Sequence, residues 1–413
     1  LAKLQDILAR FDVHQSFWQP VYQRGQDDVE FAINLDNAQW PEELKNKRKG
    51  RPCLTENRMM PFVNQVVNQI RQSKPTIIPK PVDDGADVET ADVIRGVVKN
   101  IETSSDADTV YDTAARNSVM SGVGWRRIIS QYCDYDSFDQ EIALERVQNF
   151  QSVYLDPNHQ RQDGSDAQDA FIFTDMDKAD FKRQYPKASC EGFGGSGWAN
   201  DDTVRVAEYF EKEWEEKELV EFEIVTISGI VRNKAFADRV PEGATIIRSR
   251  KTEVCKIKYY KLTELEILEE GEFAGNYIPL VPVYGFEAYV GDRRDFFSLI
   301  HQAKDPQRML NYWKSTSTEV VALQPRAPYI GAIGQFNTYK GQWARANQEN
   351  YQFLEYDPVT TPEGVPLPAP QRQAPPTSSG TLMQEAAFAA DAIKATLGMF
   401  DAAMGMQSQD ISG

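Results

Sequence analysis

The sequence predicts an α+β protein in which helices pack on mainly antiparallel sheets, followed by two further helices that bracket a Pro-rich insertion. Three observations carry this. Apolar residues recur at helical spacing through most of the first 120 residues. From Val123 to Leu268 the chain turns to β-branched and aromatic runs with a period of two. From Asp292 to Met404 helix-forming sequence returns on either side of a Pro-rich block.

The elements follow in order. In residues 1–11 (LAKLQDILARF), Leu1, Leu4, Leu8 and Phe11 share one helical face. A polar segment with Trp18, Trp40 and Pro41 leads to the basic run Lys45–Arg51, which reads as a solvated turn or, more sharply, as a phosphate contact. Met60, Val63, Val66, Val67 and Ile70 predict a helix from Asn57 to Gln72, closed by Pro75, Pro79 and Pro81. Two more helices are expected at Ala91–Ile101 and Asp106–Ser121, the second stopping at Gly122. Val123–Cys133 and Ile142–Phe150 have strand composition and suit a hairpin. Val204–Glu213, Glu221–Ser228 and Lys256–Leu268 read as further strands, so residues 1–291 form one mixed body. There is no internal repeat.

Beyond Asp292, the stretch DRRDFFSLIHQAKDPQRMLNYWKSTSTEVVALQ reads as helix on both sides of Pro306, which is expected to kink or restart it. Met309, Leu310, Trp313, Val320 and Val321 give it a partial apolar stripe, and from Pro306 to Gln324 it would extend roughly 28 Å at about 1.5 Å per residue. Pro325 and Pro328 end it. The return helix is expected to open at Thr381, whose spacing to Gln384 fits a capping box, and to run to Gly398. A lone helix pair buries little surface, whereas copies in a ring can pack such pairs side by side.

Composition excludes several classes. The chain has 413 residues, 41% of them hydrophobic, which is ample for two or three domains and a sizeable core. Cys53, Cys133, Cys190 and Cys255 are far apart, so neither a zinc site nor a disulfide framework is suggested and reduced, structural thiols are expected. No apolar run approaches the ~20 residues of a membrane span. A net charge of −17 disfavours an ordinary nucleic-acid grip; it fits a plain soluble acidic protein, does not exclude a pore through which DNA slides, and does not choose between the two. No leader-like stretch stands at Leu1, and the three glycines in GMFDAAMGMQSQDISG suggest a polypeptide that continues past Gly413.

Catalytic signals fail on inspection. Gly192–Gly197 spells G-x-G-x-x-G, but no strand precedes it and no helix opens after it, so it reads as a surface loop. Asp156, Asn158, His159, Asp163, Asp166 and Asp169 cluster without calcium-loop spacing and read as Asx-turns. Glu211, Glu213, Glu215, Glu218, Glu221 and Glu223 mostly alternate with other residues, as on the wet face of strands. Only His14, His159 and His301 are present, none beside a nucleophile motif, and His301 is expected to pack on a helix beside Phe296, Phe297 and Ile300. No P-loop, triad or metal-ligand spacing is present, so no enzyme activity and no cofactor is expected.

Several stretches carry a resemblance. KDPQRMLNYWKSTSTEVV, an insertion, and LMQEAAFAADAIKATLG resemble the stem and clip of bacteriophage portal proteins of the short-tailed (podovirus) type. RPCLTENRMMPFVNQVVNQIRQSKPTI, AARNSVMSGVGWRRI, YLDPNHQRQDGSDA and YIPLVPVYG continue it in the family's order over nearly the whole chain. The resemblance implies a wing at 1–291, a first stem helix at 292–324, a small α/β clip at 325–380, a second stem helix at 381–404 and a channel loop at 405–413. It further implies a ring of twelve subunits at one capsid vertex of the virion, assembled in the host cytoplasm, through which double-stranded DNA passes without sequence specificity. The implied partners are the terminase large subunit, a head–tail adaptor, and capsid and scaffolding proteins. Lys304, Arg308 and Lys314 become candidates for channel-side or inter-subunit charges, and Gln407, Ser408 and Gln409 for the channel loop. Arg326, Tyr329, Phe336, Tyr339, Trp343 and Arg345 have the aromatic-plus-Arg composition of docking surfaces, with an ordinary small-domain core as the even alternative for any single aromatic. The competing readings are another virion ring or head–tail connector, and a metal- or nucleotide-dependent hydrolase.

Overall fold

The computed structural model describes residues 2–73, 77–81, 87–189, 198, 202–226, 229–323, 328–346, 349–373 and 379–399. Two compact units emerge: Leu1–Asp28 with Val66–Leu299, and Val29–Gln65 with Ile300–Gly413. Residues 29–65, which the sequence reading placed in the body, thus belong with the late helices.

Helix α1 spans Ala2–Ile33 and carries Pro20 inside it. Sequence pattern showed only its first turns; the proline forfeits one backbone hydrogen bond, but burial of Trp18, Val21 and Tyr22 carries the helix on. α2 is Glu42–Lys47, α3 is Met59–Gln72, α4 is Val88–Ser104 and α5 is Ala107–Ser121, capped by Gly122 at φ 91°. Pro61 lies in the first turn of α3, where no intrahelical partner is lost.

Strands β1 (Val123–Tyr132) and β2 (Gln140–Arg146) form the expected antiparallel hairpin. β3 (Val153–Leu155) and β4 (Asp169–Asp177) follow, then α6 (Lys178–Gln184). The first five residues of β4 show no polar alternation because both faces are covered there, and a short apolar run of this kind is ambiguous in sequence. The two runs expected at Val204–Glu213 and Glu221–Ser228 are one strand, β5 (Thr203–Thr226), whose middle is the acid-rich segment. β6 (Gly229–Phe236) folds back on its distal end and β7 (Thr245–Leu262) lines its other side. The strand expected at Lys256–Leu268 joins the end of β7 to the start of β8 (Ile267–Phe273) across a turn. One sheet runs β3-β4-β5-β7-β8 with β6 also on β5, and a second runs β2-β1-β9, with β9 at Leu280–Tyr284.

β10 (Phe286–Val290) and β11 (Arg293–Phe297) form a hairpin. This corrects the expected helix N-terminal to Pro306: Arg294 and Phe296 point inward while Arg293 does not, the alternation of a strand. His301 therefore lies in a single 3-10 turn, not on a helix with Phe296 and Phe297. α7 covers Lys304–Leu323, so Pro306 sits in its first turn and neither kinks nor restarts it. β12 (Tyr329–Ile330), α8 (Lys340–Arg345) and β13 (Gln371–Arg372) make up the insertion, and α9 is Ser379–Leu397, ending at Gly398 with φ 66°. The return helix thus begins two residues before the expected Thr381.

The core of the first unit forms where α1 crosses the sheets. Trp18 stacks on Phe296 with centroids 5.6 Å apart and on Tyr22 at 5.5 Å, and its indole N–H donates to the Leu155 carbonyl at 2.7 Å. Further along the same helix, Leu4, Ile7 and Phe11 cover Phe171, Phe173 and Tyr209 on β4 and β5. Gly124 admits no side chain, since a Cβ there would stand 2.0 Å from the Ala114 carbonyl oxygen of α5.

Candidate functional site: the α7–α9 helix pair and its insertion

α7 has three working faces, and the first is polar and buried. Gln307, Asn311 and Ser315 recur every four residues and all three are wholly buried. They grip an extended segment running antiparallel to the helix. The Arg58 N–H donates to Gln307 Oε1 (3.1 Å), the Glu56 N–H to Asn311 Oδ1 (3.0 Å) and the Leu54 N–H to Ser315 Oγ (2.9 Å). Gln307 Nε2 returns a bond to the Glu56 carbonyl at 2.8 Å, and Asn311 Nδ2 donates to Gln39 Oε1 at 2.8 Å. The register works because four helical residues rise about 6.0 Å and two extended residues about 6.6 Å. From sequence this row looks like a wet helix face; only the companion segment reveals it.

The basic run Lys45–Arg51 supports the same assembly. Arg48 is buried, donates to Glu319 at 3.0 Å and to Thr316 at 3.3 Å, and lies over the rings of Trp40 and Tyr312. Arg48 is therefore neither solvated nor placed as a phosphate contact.

The second face packs on α9, which presents Ala386, Ala389 and Ile393, all buried. The third face stays open. Met309 is 51% exposed on α7, and Trp313 and Val320 continue its row half-buried. On α9, Phe388 is 58% exposed and is turned away from the buried alanines.

The stem cations lie on α7. Lys304 and Arg308 both sit over the Phe31 ring, at 5.6 and 5.3 Å, and Arg308 pairs with Asp305 at 3.2 Å. Lys314 pairs with Glu56 at 3.1 Å while staying half exposed. Partial burial pushes the Glu56 carboxyl up, but its hydrogen bonds to Arg58 and Lys314 outweigh that and hold it below its ordinary value.

In the insertion, Tyr329 and Phe336 both meet Trp343 edge-to-face, at 4.9 and 5.1 Å, so these three aromatics form the insertion's own small core. The Trp343 indole N–H donates to the Glu355 carbonyl at 2.8 Å. Buried Gln335 ties the fold, accepting from the Ala332 N–H at 2.8 Å and donating to the Pro368 carbonyl at 2.8 Å. Arg345 pairs with Glu349 at 3.1 Å, and the Tyr339 hydroxyl is held above its ordinary value by its bond to Glu355. Among the described residues of the insertion, Phe353, one of the aromatics that the sequence offers, and Ile333, which composition did not point to, are the most exposed large apolar ones. Arg326, Gln407, Ser408, Gln409, Cys190 and the Gly192–Gly197 loop lie outside the described residues.

The aspartate cluster behaves as turn punctuation: Asp156 Oδ1 accepts from the Asn158 N–H at 2.8 Å and Asp163 Oδ1 from the Ser165 N–H at 3.1 Å. One member of the acidic row departs from its wet-face reading. Glu211 is buried, held by Lys3 at 2.6 Å and Arg10 at 2.8 Å. Among the described residues no group of three or more His, Cys, Asp or Glu could hold a metal ion, and no helix is long and apolar enough to cross a membrane.

A profile of the phage P22-like portal protein family matches residues 8–413. The chain belongs to that family. The portal protein of Acyrthosiphon pisum secondary endosymbiont phage 1 is 24% identical over 399 residues, covering 91% of this chain and 54% of the relative. The chain therefore spans about half the length of that curated relative.

Proposed function

We propose that this chain is one subunit of a ring, of twelve copies as the family resemblance implies, forming the channel at one capsid vertex for DNA packaging and ejection. The observation that carries the reading is the pair of unlike open faces on the helix pair. Met309, Trp313 and Val320 mark one on α7, and Phe388 marks the other on α9. A cyclic assembly joins two different patches head to tail, and a chain with one such patch on each helix is suited to it.

In this reading residues 1–28 and 66–291 are the wing, α7 and α9 with the companion segment 29–65 the stem, and the insertion the clip, which docks the terminase large subunit and later a head–tail adaptor. Capsid and scaffolding proteins meet the ring during assembly in the host cytoplasm. Lys304, Arg308 and Lys314 face the channel or a neighbouring stem, and Gln407, Ser408 and Gln409 narrow the channel. At the clip, Arg326, Tyr339 and Arg345 make docking contacts, with the Tyr329–Phe336–Trp343 core shaping the surface beneath them and Ile333 and Phe353 adding apolar area. The charge of −17 supports weak, non-specific contact with sliding DNA. The test is assembly: native mass and electron microscopy on the purified chain distinguish closed rings from monomers.

A further inference from the structure

The long strand β5 has an interrupted border. β4 accompanies it as far as the pair Asp169↔Glu211, and the last rung is the Lys212 N–H donating to the Gln168 carbonyl at 2.8 Å. β6 begins only at Leu219↔Phe236. Both lie on the side of β5 opposite β7, because β7 pairs with β5 along Ala207–Glu223. Between them, no described strand pairs with residues 213–218 on this side. Strand alternation turns the N–H and C=O groups of Trp214, Glu216 and Glu218 the same way as those of Lys212, towards the gap. The six residues span about 20 Å at ~3.3 Å each. A groove of 650 Å³ borders this stretch, running over the sheet from Gln168, Lys212 and Trp214 to Arg250 and Cys255 of β7, with Tyr277 beside it. Trp214 and Tyr277 stand 55% and 62% exposed in it.

We propose that Glu213–Glu218 is a lane for β-strand addition, filled by a short, extended, basic segment of a partner protein that enters between β4 and β6. Charge supplies the argument for the occupant. The strands beside β5 answer four of its glutamates with cations: Arg232 to Glu223 at 2.6 Å, Lys256 to Glu215 at 2.7 Å, and Arg248 to Glu221 and Lys251 to Glu216 in close contact. The lane itself holds four Glu against one Lys, with its other border missing. On the β7 side Lys251 and Lys256 flank the lane and Arg250 lines the groove, whereas at the β4 end Lys212 donates to the Ser165 carbonyl at 2.8 Å and Arg161 to the Ser165 hydroxyl at 3.2 Å. A strand here places an apolar or aromatic residue against Trp214 and Lys or Arg against Glu216 and Glu218.

A second copy is the poorer fit. Its β7 has a basic outer edge from Thr245 to Lys256, beyond the reach of β8, which pairs only from Ile257. That edge is twelve residues long, and the ends of β4 and β6 leave room for six. The proposal rests on the sheet of the first unit and is independent of the ring reading.

Hydrogen exchange on the full chain tests it, with the synthetic peptide acetyl-Lys-Val-Arg-Val-Tyr-Lys-amide as probe, whose alternate residues Lys, Arg and Tyr face Glu218, Glu216 and Trp214 in antiparallel register. The amides of Trp214, Glu216 and Glu218 should exchange at least tenfold more slowly with the peptide. Versions N-methylated on alternate residues keep the charge but lose the pairing edge, so the version blocked on the edge that pairs with β5 should have no effect. A Glu216→Lys/Glu218→Lys variant should lose the response. No slowing, or equal slowing by both N-methylated versions, overturns the proposal. So does ladder-like protection of these amides without peptide, which would mean that another segment of the chain or a second copy already fills the lane.

Discussion

Asn311 shows how much one buried amide can organise. It accepts from the Glu56 N–H, receives a bond from Gln307 Nε2 at 3.0 Å and donates to Gln39, all without solvent access. Replacing it with Leu strands these groups in a dry interior, and each buried unpaired group costs about 1–3 kcal/mol. Asn311→Leu should therefore lower unfolding free energy by about 2–4 kcal/mol in denaturant titration; an unchanged midpoint would contradict the buried row. His159 makes a pH-dependent contribution. It is buried, its Nδ1 donates to the Asp156 carbonyl and its Nε2 accepts from the Tyr284 hydroxyl, an arrangement that uses the neutral ring. Burial pushes its pKa below the ordinary value and the nearby Arg294 adds to this, against the raising effect of the Asp156 carbonyl. The unfolded chain therefore binds this proton more tightly than the folded one. The stabilisation is complete above about pH 6.5 and is lost as pH falls from there through the depressed folded value. Melting curves at pH 7.5 and 5.5 should show a smaller shift in a His159→Gln variant than in the parent; equal shifts would sink the assignment.

At the scale of elements, the open faces of α7 and α9 make a specific claim. A Glu at Met309 or at Phe388 replaces an exposed apolar residue, so the melting temperature of the subunit should change little. Either single variant should nevertheless prevent ring closure, because each spoils one partner of every head-to-tail contact. Full-size rings in native mass spectra of both variants would argue that these faces meet solvent. Elements also show what sequence makes legible. The β1–β2 hairpin, α3, and the stop of α9 at Gly398 could be read because pattern and terminators agree. α1 could not, since its continuation past Pro20 depends on Trp18 and Phe296 meeting across 278 residues. β11 looked helical because Arg293–Phe297 has no β-branched residue, and its state is decided by pairing with β10. The middle of β5 looked like a break between two strands because its glutamates hide their partners, which come from β6 and β7. In the candidate site the cations and aromatics were legible by composition. The Gln307–Asn311–Ser315 row was not, because a buried polar row and a solvated one have the same spacing.

For the whole molecule, membership of the portal family makes sense of features that no local chemistry explains. The chain is strongly acidic, and exposed large apolar residues stand on both helices of a pair, Met309 on α7 and Phe388 on α9. The proposed ring would account for both, giving the helix faces neighbours and DNA a wall with little to grip. The most direct measurement is negative-stain electron microscopy of the purified chain, paired with native mass over a range of protein and salt concentrations. The account predicts closed rings with a central hole and a mass near twelve subunits. A chain that stays monomeric at every concentration, with Met309 and Phe388 as open to solvent as in the isolated subunit, would contradict it.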